Sequence, residues 1–157
     1  MTRVTIAAAF IGGTVSLTPF AAIAVDIEEN PAAVELDPDY TAGKKAIAAK
    51  QWSVAIAALS SAALRDTRNA DIQNYLGYAY RNAGQLDAAF VHYERALALS
   101  PRHRGAHEYV GEAYLIVNNL AKAEEHLAAL QQICLIPCEE FEELKEKIEA
   151  YKRSSKR

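Results

Sequence analysis

The sequence predicts an all-α fold built from repeated pairs of short helices, and three observations lead to this prediction. Alanine is abundant, whereas glycine and proline occur only 7 and 5 times in 157 residues, a composition that favours helices over sheets. Hydrophobic residues make up 51% of the chain, enough to form a core. Small residues recur every 34 positions in two sets, which are Gly43, Gly77 and Gly111, and Ala55, Ala89 and Ala123. A fixed period of this length is typical of stacked helical hairpins.

Six helices in three hairpins are predicted first. Each has apolar residues spaced at i, i+3 and i+4, which places them on one buried stripe. The middle hairpin shows this best, with stripes at Leu76, Ala79, Tyr80 and Ala83 and at Ala89, Tyr93, Ala96 and Leu97. Turns are expected at Lys50-Gln51, Gly84 and Asn118-Asn119, because a residue in the left-handed conformation ends many helices. The predicted helices span residues 38–50, 53–65, 70–83, 86–99, 104–117 and 120–133.

A seventh helix is expected over residues 138–152. Its apolar residues fall on one face, and they are Phe141, Leu144, Ile148 and Tyr151. Acidic residues come first in this segment and basic residues last, an order that suits the helix dipole. Because stacked repeats leave an apolar end face, we expect this helix to cap the stack. Residues 153–157 follow it as a short basic tail.

The middle unit also carries a motif with defined spacing. Its residues are Leu76, Gly77, Tyr80, Gly84, Ala89, Tyr93, Ala96 and Pro101. The spacing resembles that of the tetratricopeptide repeat. The resemblance continues in register over residues 36–137, in units 36–69, 70–103 and 104–137. It implies a right-handed α-solenoid of three repeats, which binds a peptide or protein segment in a groove lined by the first helix of each unit.

The same resemblance implies which side chains face that groove. They are Tyr40, Lys44, Asn74, Tyr78, Arg81, Glu108 and Glu112. Within this set an amide, an aromatic ring and a guanidinium lie close together on one helix, and they suit a backbone amide or a carboxylate. Some family members that bind heat-shock proteins hold two carboxylates in a clamp, for which only Lys44, Asn74 and Arg81 qualify here, so the full clamp is not present. The alternative is that Arg81, Glu108 and Glu112 pair with one another as ordinary surface charges.

Two cysteines, Cys134 and Cys138, are separated by three residues. In an oxidising compartment two nearby cysteines indicate a disulfide, and one helical turn brings their Cα atoms within the permitted distance. The bond would fix the end of the sixth helix to the start of the capping helix. The alternative is a thiol pair for redox work or copper(I), although the spacing is not that of thioredoxin-like sites.

No motif for catalysis or cofactor binding is found, so neither an enzyme nor a cofactor is predicted. His103 and His107 are four residues apart, a spacing that can hold a metal ion, but a packed histidine is the preferred interpretation and no metal site is predicted. A net charge of −3 and an isoelectric point of about 5.8 argue against nucleic-acid binding.

The first 24 residues have the pattern of a secretory signal peptide. Arg3 is followed by an apolar run that ends at Ala22-Ile23-Ala24, and no acidic residue precedes Asp26. We therefore expect cleavage near Ala24 and export, to the periplasm in a Gram-negative host, with no membrane span after cleavage. A retained membrane anchor is the alternative. Residues 25–35 are interpreted as a flexible lead-in.

Together these features predict a non-enzymatic interaction module, an adaptor or scaffold of the cell envelope with a protein or peptide partner. Two other functions stay open. One is a redox or metal-handling protein that uses Cys134 and Cys138. The other is an assembly protein that self-associates through the apolar end of its stack.

Overall fold

A computed structural model describes residues 37–155, so the predicted signal peptide and lead-in lie outside the described residues. Within this range the chain forms seven helices and no strand. They are α1 (Pro38–Ala48), α2 (Trp52–Arg65), α3 (Ala70–Asn82), α4 (Leu86–Leu99), α5 (Arg104–Ile116), α6 (Leu120–Ile133) and α7 (Glu139–Ser154). The predicted all-α solenoid is confirmed, and each bound agrees with the sequence prediction to within two residues. None of the described helices is long and apolar enough to cross a membrane.

The first helix of each hairpin begins at a side-chain cap. The Asp37 carboxylate accepts from the backbone N–H of Tyr40 at 3.1 Å, and the Asn69 side chain accepts from that of Ile72 at 3.0 Å. Nδ1 of His103 accepts from Ala106 N at 3.1 Å. Such caps satisfy N–H groups that have no partner within the helix. They therefore fix where α1, α3 and α5 start.

The three hairpin turns have the same geometry. Each places a residue in the left-handed region, with φ of 56° at Lys50, 77° at Gly84 and 58° at Asn118. The N–H of each following residue then bonds to a carbonyl in the preceding helix, for example Gln51 N to Ala46 O at 2.8 Å and Gln85 N to Tyr80 O at 2.9 Å. This repetition every 34 residues confirms the predicted turns.

Lys50 is the least suited of the three turn residues, because a lysine has a Cβ atom and no side-chain bond that compensates for a positive φ. We expect Lys50→Gly to raise the free energy of unfolding by about 0.5–1 kcal/mol. Urea denaturation measures the change. Gly84→Lys is the matched control, since it places lysine in the equivalent turn and should destabilise by a similar amount. A loss of stability in Lys50→Gly would contradict this account of the turn.

The helices of the first two hairpins cross at glycine. A Cβ atom on Gly43 would lie 2.5 Å from Cγ of Leu59, and one on Gly77 would lie 2.5 Å from Cδ1 of Tyr93. Both partners belong to the second helix of the same hairpin and are fully buried. The recurring glycines are therefore needed for close helix packing.

The third hairpin differs, because Gly111 meets α7 instead of its own second helix. A Cβ atom on Gly111 would lie 2.6 Å from Cδ2 of Leu144. Helix α7 runs parallel to α5, since Arg104 lies 3.6 Å from Glu140 at their starts, and the Tyr151 hydroxyl donates to Asn118 Oδ1 at 3.2 Å near their ends. Helix α7 thus occupies the place of the first helix of a fourth repeat, and it continues to Ser154, beyond the expected cap.

Candidate functional site: an acidic cleft between α3, α5 and α7

An open cleft of about 620 Å³ lies between the first halves of α3, α5 and α7. Because α5 and α7 are parallel, their polar first turns meet at the same side of the stack. The three helices contribute seven charged or amide side chains to its lining, and they are Asp71, Asn74, Arg104, Glu108, Glu139, Glu140 and Glu143. This surface is called the acidic cleft below.

Asn74 lies at the base of the acidic cleft with a polar atom that has no partner. Its side chain is 4% exposed, and Oδ1 makes no hydrogen bond to any of the described residues. Opposite it is Gly105, where an added Cβ atom would lie 3.2 Å from Asn74 Nδ2. The missing side chain at residue 105 therefore leaves space beside the Asn74 amide at the floor of the cleft. A buried, unpaired carbonyl oxygen costs free energy unless a donor reaches it.

Glu108 lines the same cleft as Asn74 and is also 4% exposed. Burial, together with the hydrogen-bonded carboxyl group of Glu143, raises the pKa of Glu108 to about 9. The carboxylates of Glu112 and Glu140 act in the same direction. At neutral pH Glu108 is therefore protonated and donates to the Glu143 carboxylate. Two carboxyl groups share a proton in this way when they lie close together and no cation neutralises their negative charge.

The remaining charges of the cleft largely pair with each other. Arg104 pairs with Glu140, and His103 Nε2 lies 2.9 Å from Asp71 Oδ1. Because Nδ1 of His103 accepts from the backbone, Nε2 carries the proton and donates to the Asp71 carboxylate. This hydrogen bond is the main reason that the pKa of Asp71 is lowered.

Arg81 and Glu112, both predicted to face the groove, lie in a second, neighbouring cleft of about 450 Å³. The Arg81 guanidinium pairs with Glu112 and donates to the carbonyl of Tyr109 at 3.3 Å. It also lies over the rings of Tyr78 and Tyr109, at 5.2 and 5.5 Å, and its side chain is only 9% exposed. These contacts join α3 to α5. The ion pair of Arg81 with Glu112 agrees with the alternative given above, in which these side chains bind each other and not a ligand.

The other predicted groove residues lie outside both clefts. Tyr40 is buried rather than exposed, because the ring of Tyr75 packs against it at 6.0 Å. Lys44 is exposed, with Nζ 5.3 Å from the centre of the Tyr40 ring. Tyr78 is half-buried between Trp52 and Tyr109, with ring centres 6.2 and 4.8 Å away. Of the predicted set, the structure brings Asn74 and Glu108 together in one cleft.

Sequence reasoning missed the contribution of α7. Glu140 and Glu143 reach the cleft from α7, which the sequence predicts only as a cap. The acidic first turn of α7 was explained by the helix dipole, an explanation that holds for any helix and assigns no site. The only signal in the sequence is the number of residues from Glu108 to Glu143, which is one more than the repeat period of 34.

Cys134 and Cys138 are joined in a disulfide with their Cα atoms 5.9 Å apart. Cys134 follows the last residue of α6 and Cys138 precedes the first residue of α7. The bond therefore fixes the connection that sets the position of α7 over α5. Residues 37–155 contain no group of three or more histidine, cysteine, aspartate or glutamate side chains placed to hold a metal ion.

His103 and His107, the other candidate metal pair, point to different partners. Nε2 of His107 donates to the carbonyl of Pro101 at 3.0 Å, so its Nδ1 must accept from Nδ1 of His126, 2.9 Å away. Burial lowers the pKa of His107, and burial together with the neighbouring His107 lowers the pKa of His126 to about 4. Both rings are therefore neutral at pH 7.

This histidine pair predicts a loss of stability in acid. Unfolding raises the pKa of His126 from about 4 towards 6.5, so the unfolded chain binds more protons between these values. Stability from the pair is thus complete above pH 6.5 and falls as the pH drops towards 4. After allowance for partial exposure, we expect a loss on the order of 1–2 kcal/mol.

Thermal unfolding across this pH range measures the loss, and His126→Asn, which keeps a donor but does not titrate, is the comparison. Glu108 acts in the opposite direction, because its stability contribution grows as the pH falls below about 9. The difference between wild type and His126→Asn isolates the contribution of His126. An equal acid response in both proteins would contradict the prediction.

Comparison with known proteins adds to this geometry. The sequence profile of the tetratricopeptide repeat matches residues 70–103, the middle hairpin. The chain has the tetratricopeptide-repeat fold. No curated protein sequence shows significant similarity to it.

Solved structures with the repeat fold superpose on most of the chain. The type III secretion chaperone SycD of Yersinia enterocolitica, in complex with a peptide of the translocator YopD, has a TM-score of 0.64 and 20% identity over 74% of this chain and 92% of that one. The Sgt2 repeat domain of Aspergillus fumigatus has a TM-score of 0.67 and 22% identity over 80% of both chains. The first repeat domain of Spaghetti (RPAP3), bound to an HSP90 peptide, has a TM-score of 0.61 and 19% identity over 69% and 86%. At these identities the similarity concerns the fold.

Proposed function

We propose that this protein is a non-enzymatic interaction module that binds a peptide or protein segment in the acidic cleft. The observation that carries the proposal is Asn74 Oδ1, a buried acceptor without a protein partner at the base of an open cleft. A ligand with an N–H group would satisfy it. The tetratricopeptide-repeat fold supports the proposal, since stacked repeats create extended binding surfaces. The SycD and RPAP3 structures each hold a peptide.

We place this function in the cell envelope, as an adaptor or scaffold. The support is the pattern of residues 1–24, which is that of a secretory signal peptide. The Cys134–Cys138 disulfide is consistent with an oxidising compartment. Fractionation of cells that express the tagged chain, with sequencing of its mature N-terminus, tests the location. Recovery of an uncleaved chain from the cytosol would contradict it.

Affinity capture with a blocked cleft tests the binding function. Gly105→Leu places a side chain over Asn74, whereas Val91→Ser changes an exposed position on α4, outside both clefts. We expect wild type and Val91→Ser to capture the same partner and Gly105→Leu to lose it. Retention of the partner by Gly105→Leu together with its loss from Val91→Ser would place the binding surface on the opposite side of the stack.

Self-association is a second candidate, favoured by one exposed apolar segment. Leu135 and Ile136, in the loop closed by the disulfide, are 99% and 79% exposed. The SycD chaperone has been solved as an alternative dimer. Sedimentation velocity over a range of concentrations separates the two states, with Leu135→Ser/Ile136→Ser as the comparison. A monomer at all concentrations would exclude this candidate.

A further inference from the structure

Building on the proposed function, we propose that the acidic cleft selects a basic peptide, whose ammonium or guanidinium group is bound directly by Asn74, Glu108 and Glu143. The clamp of the resembled heat-shock-binding proteins would favour the opposite ligand, an acidic one. The charges and the unpaired acceptor of this chain argue for the basic peptide in three steps.

The first step is the hydrogen-bonding chemistry of the cleft. Asn74 Oδ1 needs a donor, and lysine and arginine side chains carry three to five N–H donors and no acceptor. A ligand carboxylate has no hydrogen to give to this oxygen, and it would meet the carboxyl groups of Glu108 and Glu143. A cationic group therefore matches the acceptors of the cleft, and an anionic group does not.

The second step is the charge balance. Five carboxyl groups line the cleft against two arginines, and they are Asp71, Glu108, Glu139, Glu140 and Glu143. Asp71 and Glu140 are taken by His103 and Arg104. Glu108, Glu139 and Glu143 form no ion pair with any cationic side chain of residues 37–155. Glu108 and Glu143 hold one proton between them, and no cationic side chain lies beside the pair, so a bound cation could take the place of that proton.

The third step is accessibility. The cleft volume of about 620 Å³ is within the range of about 300–1,000 Å³ that ligand sites have, so it accommodates a long side chain with its flanking backbone. Gly105 adds no side chain beside the Asn74 amide. Tyr75 and Tyr109 line the same cleft and offer aromatic faces to the methylene groups or the charge of such a side chain.

Binding of the cation is coupled to release of a proton. The proton that Glu108 shares with Glu143 leaves to solvent, and the ligand's positive charge takes its place between the two carboxylates. The charged groups that face Glu108 are Glu112 and Arg104 on α5, Asp71 on α3, and Glu140 and Glu143 on α7. Affinity for the basic peptide therefore rises with pH below about pH 9. Calorimetry in two buffers of different ionisation enthalpy measures the proton released.

An array of immobilised hexapeptides with basic, neutral and acidic compositions tests the proposal, with acetyl-lysine versions of the lysine peptides as uncharged controls. We expect wild type to bind the basic set and not the acetylated one. Glu108→Gln should weaken this binding by about tenfold or more, an effect of the size expected for a lost charge-assisted bond. Glu146→Gln makes the same charge change on an exposed part of α7 outside the cleft and should bind like wild type.

The outcomes separate this inference from the proposed function. Binding of neutral or acidic peptides that Glu108→Gln retains would overturn the choice of a basic ligand and leave peptide binding standing. Binding of no peptide set by wild type would contradict both. Thermal unfolding of Glu108→Gln checks that the variant is folded. Burial raises the pKa of Glu108, so wild type must take up a proton when it folds at mildly alkaline pH. Glutamine needs no proton, and Glu108→Gln should therefore melt at a higher temperature than wild type.

Discussion

Replacing Leu144 by alanine is expected to lower the free energy of unfolding by about 3–5 kcal/mol, the upper part of the range for a buried leucine. Leu144 is fully buried and fills the space beside Gly111. It belongs to one apolar cluster with Ala123, Leu130 and Ile148, which joins α7 to the third hairpin. The glycine has no side chain that could move into the cavity. Urea denaturation followed by circular dichroism measures the loss.

The control for this prediction is Glu146→Ala, two residues further along α7 and exposed. It should change the free energy of unfolding by less than about 0.5 kcal/mol. A similarly small effect of Leu144→Ala would mean that α7 is only loosely attached. In that case the acidic cleft, one wall of which is α7, would not exist as a fixed site.

Gly77→Ala is expected to destabilise the protein by about 2–3 kcal/mol, despite the higher helix propensity of alanine. The new Cβ atom would lie 2.5 Å from Cδ1 and 2.6 Å from Cε1 of Tyr93. Tyr93 is fully buried, and its rigid ring cannot move away without disturbing the packing of α3 on α4. Thermal and urea unfolding both report this change.

A double-mutant cycle assigns the effect to the contact itself. In a Tyr93→Ala background the ring is absent, so Gly77→Ala should cost less than it does in wild type. Gly105→Ala is a second comparison, since the nearest atoms to its Cβ are the Asn74 amide nitrogen at 3.2 Å and the His103 ring at 3.6 Å, farther away than the Tyr93 ring is from Gly77. Equal costs of Gly77→Ala in both backgrounds would show that the close crossing of α3 and α4 is not the cause.

The spacing of small residues predicted most of the fold because it reflects contacts that recur within each hairpin. Gly43 and Gly77 pack against their own second helices, and the turn residues Gly84 and Asn118 adopt the same positive φ. These contacts are local, so the period of 34 residues encodes them. Gly111 belongs to the same series, but its contact comes from α7, across the disulfide-closed loop where the period ends.

The candidate site was less predictable because it depends on contacts between hairpins. The helical stripe predicts Asn74 and Glu108 on one surface, and the structure shows both of them lining one cleft. It could not show that Arg81 is taken by Glu112 and by two tyrosine rings, since those contacts depend on the distance between α3 and α5. It also could not show Glu143, because the register of α7 follows from the loop at residues 134–138 and not from the repeat.

We infer that the partner binds where α3, α5 and α7 meet. Hydrogen–deuterium exchange of the protein, alone and with the partner captured by wild type, tests this most directly. We predict slower exchange at the starts of these three helices, in residues 70–78, 104–109 and 139–144, and unchanged exchange in α2, α4 and α6. Protection confined to α2, α4 and α6 would contradict the claim.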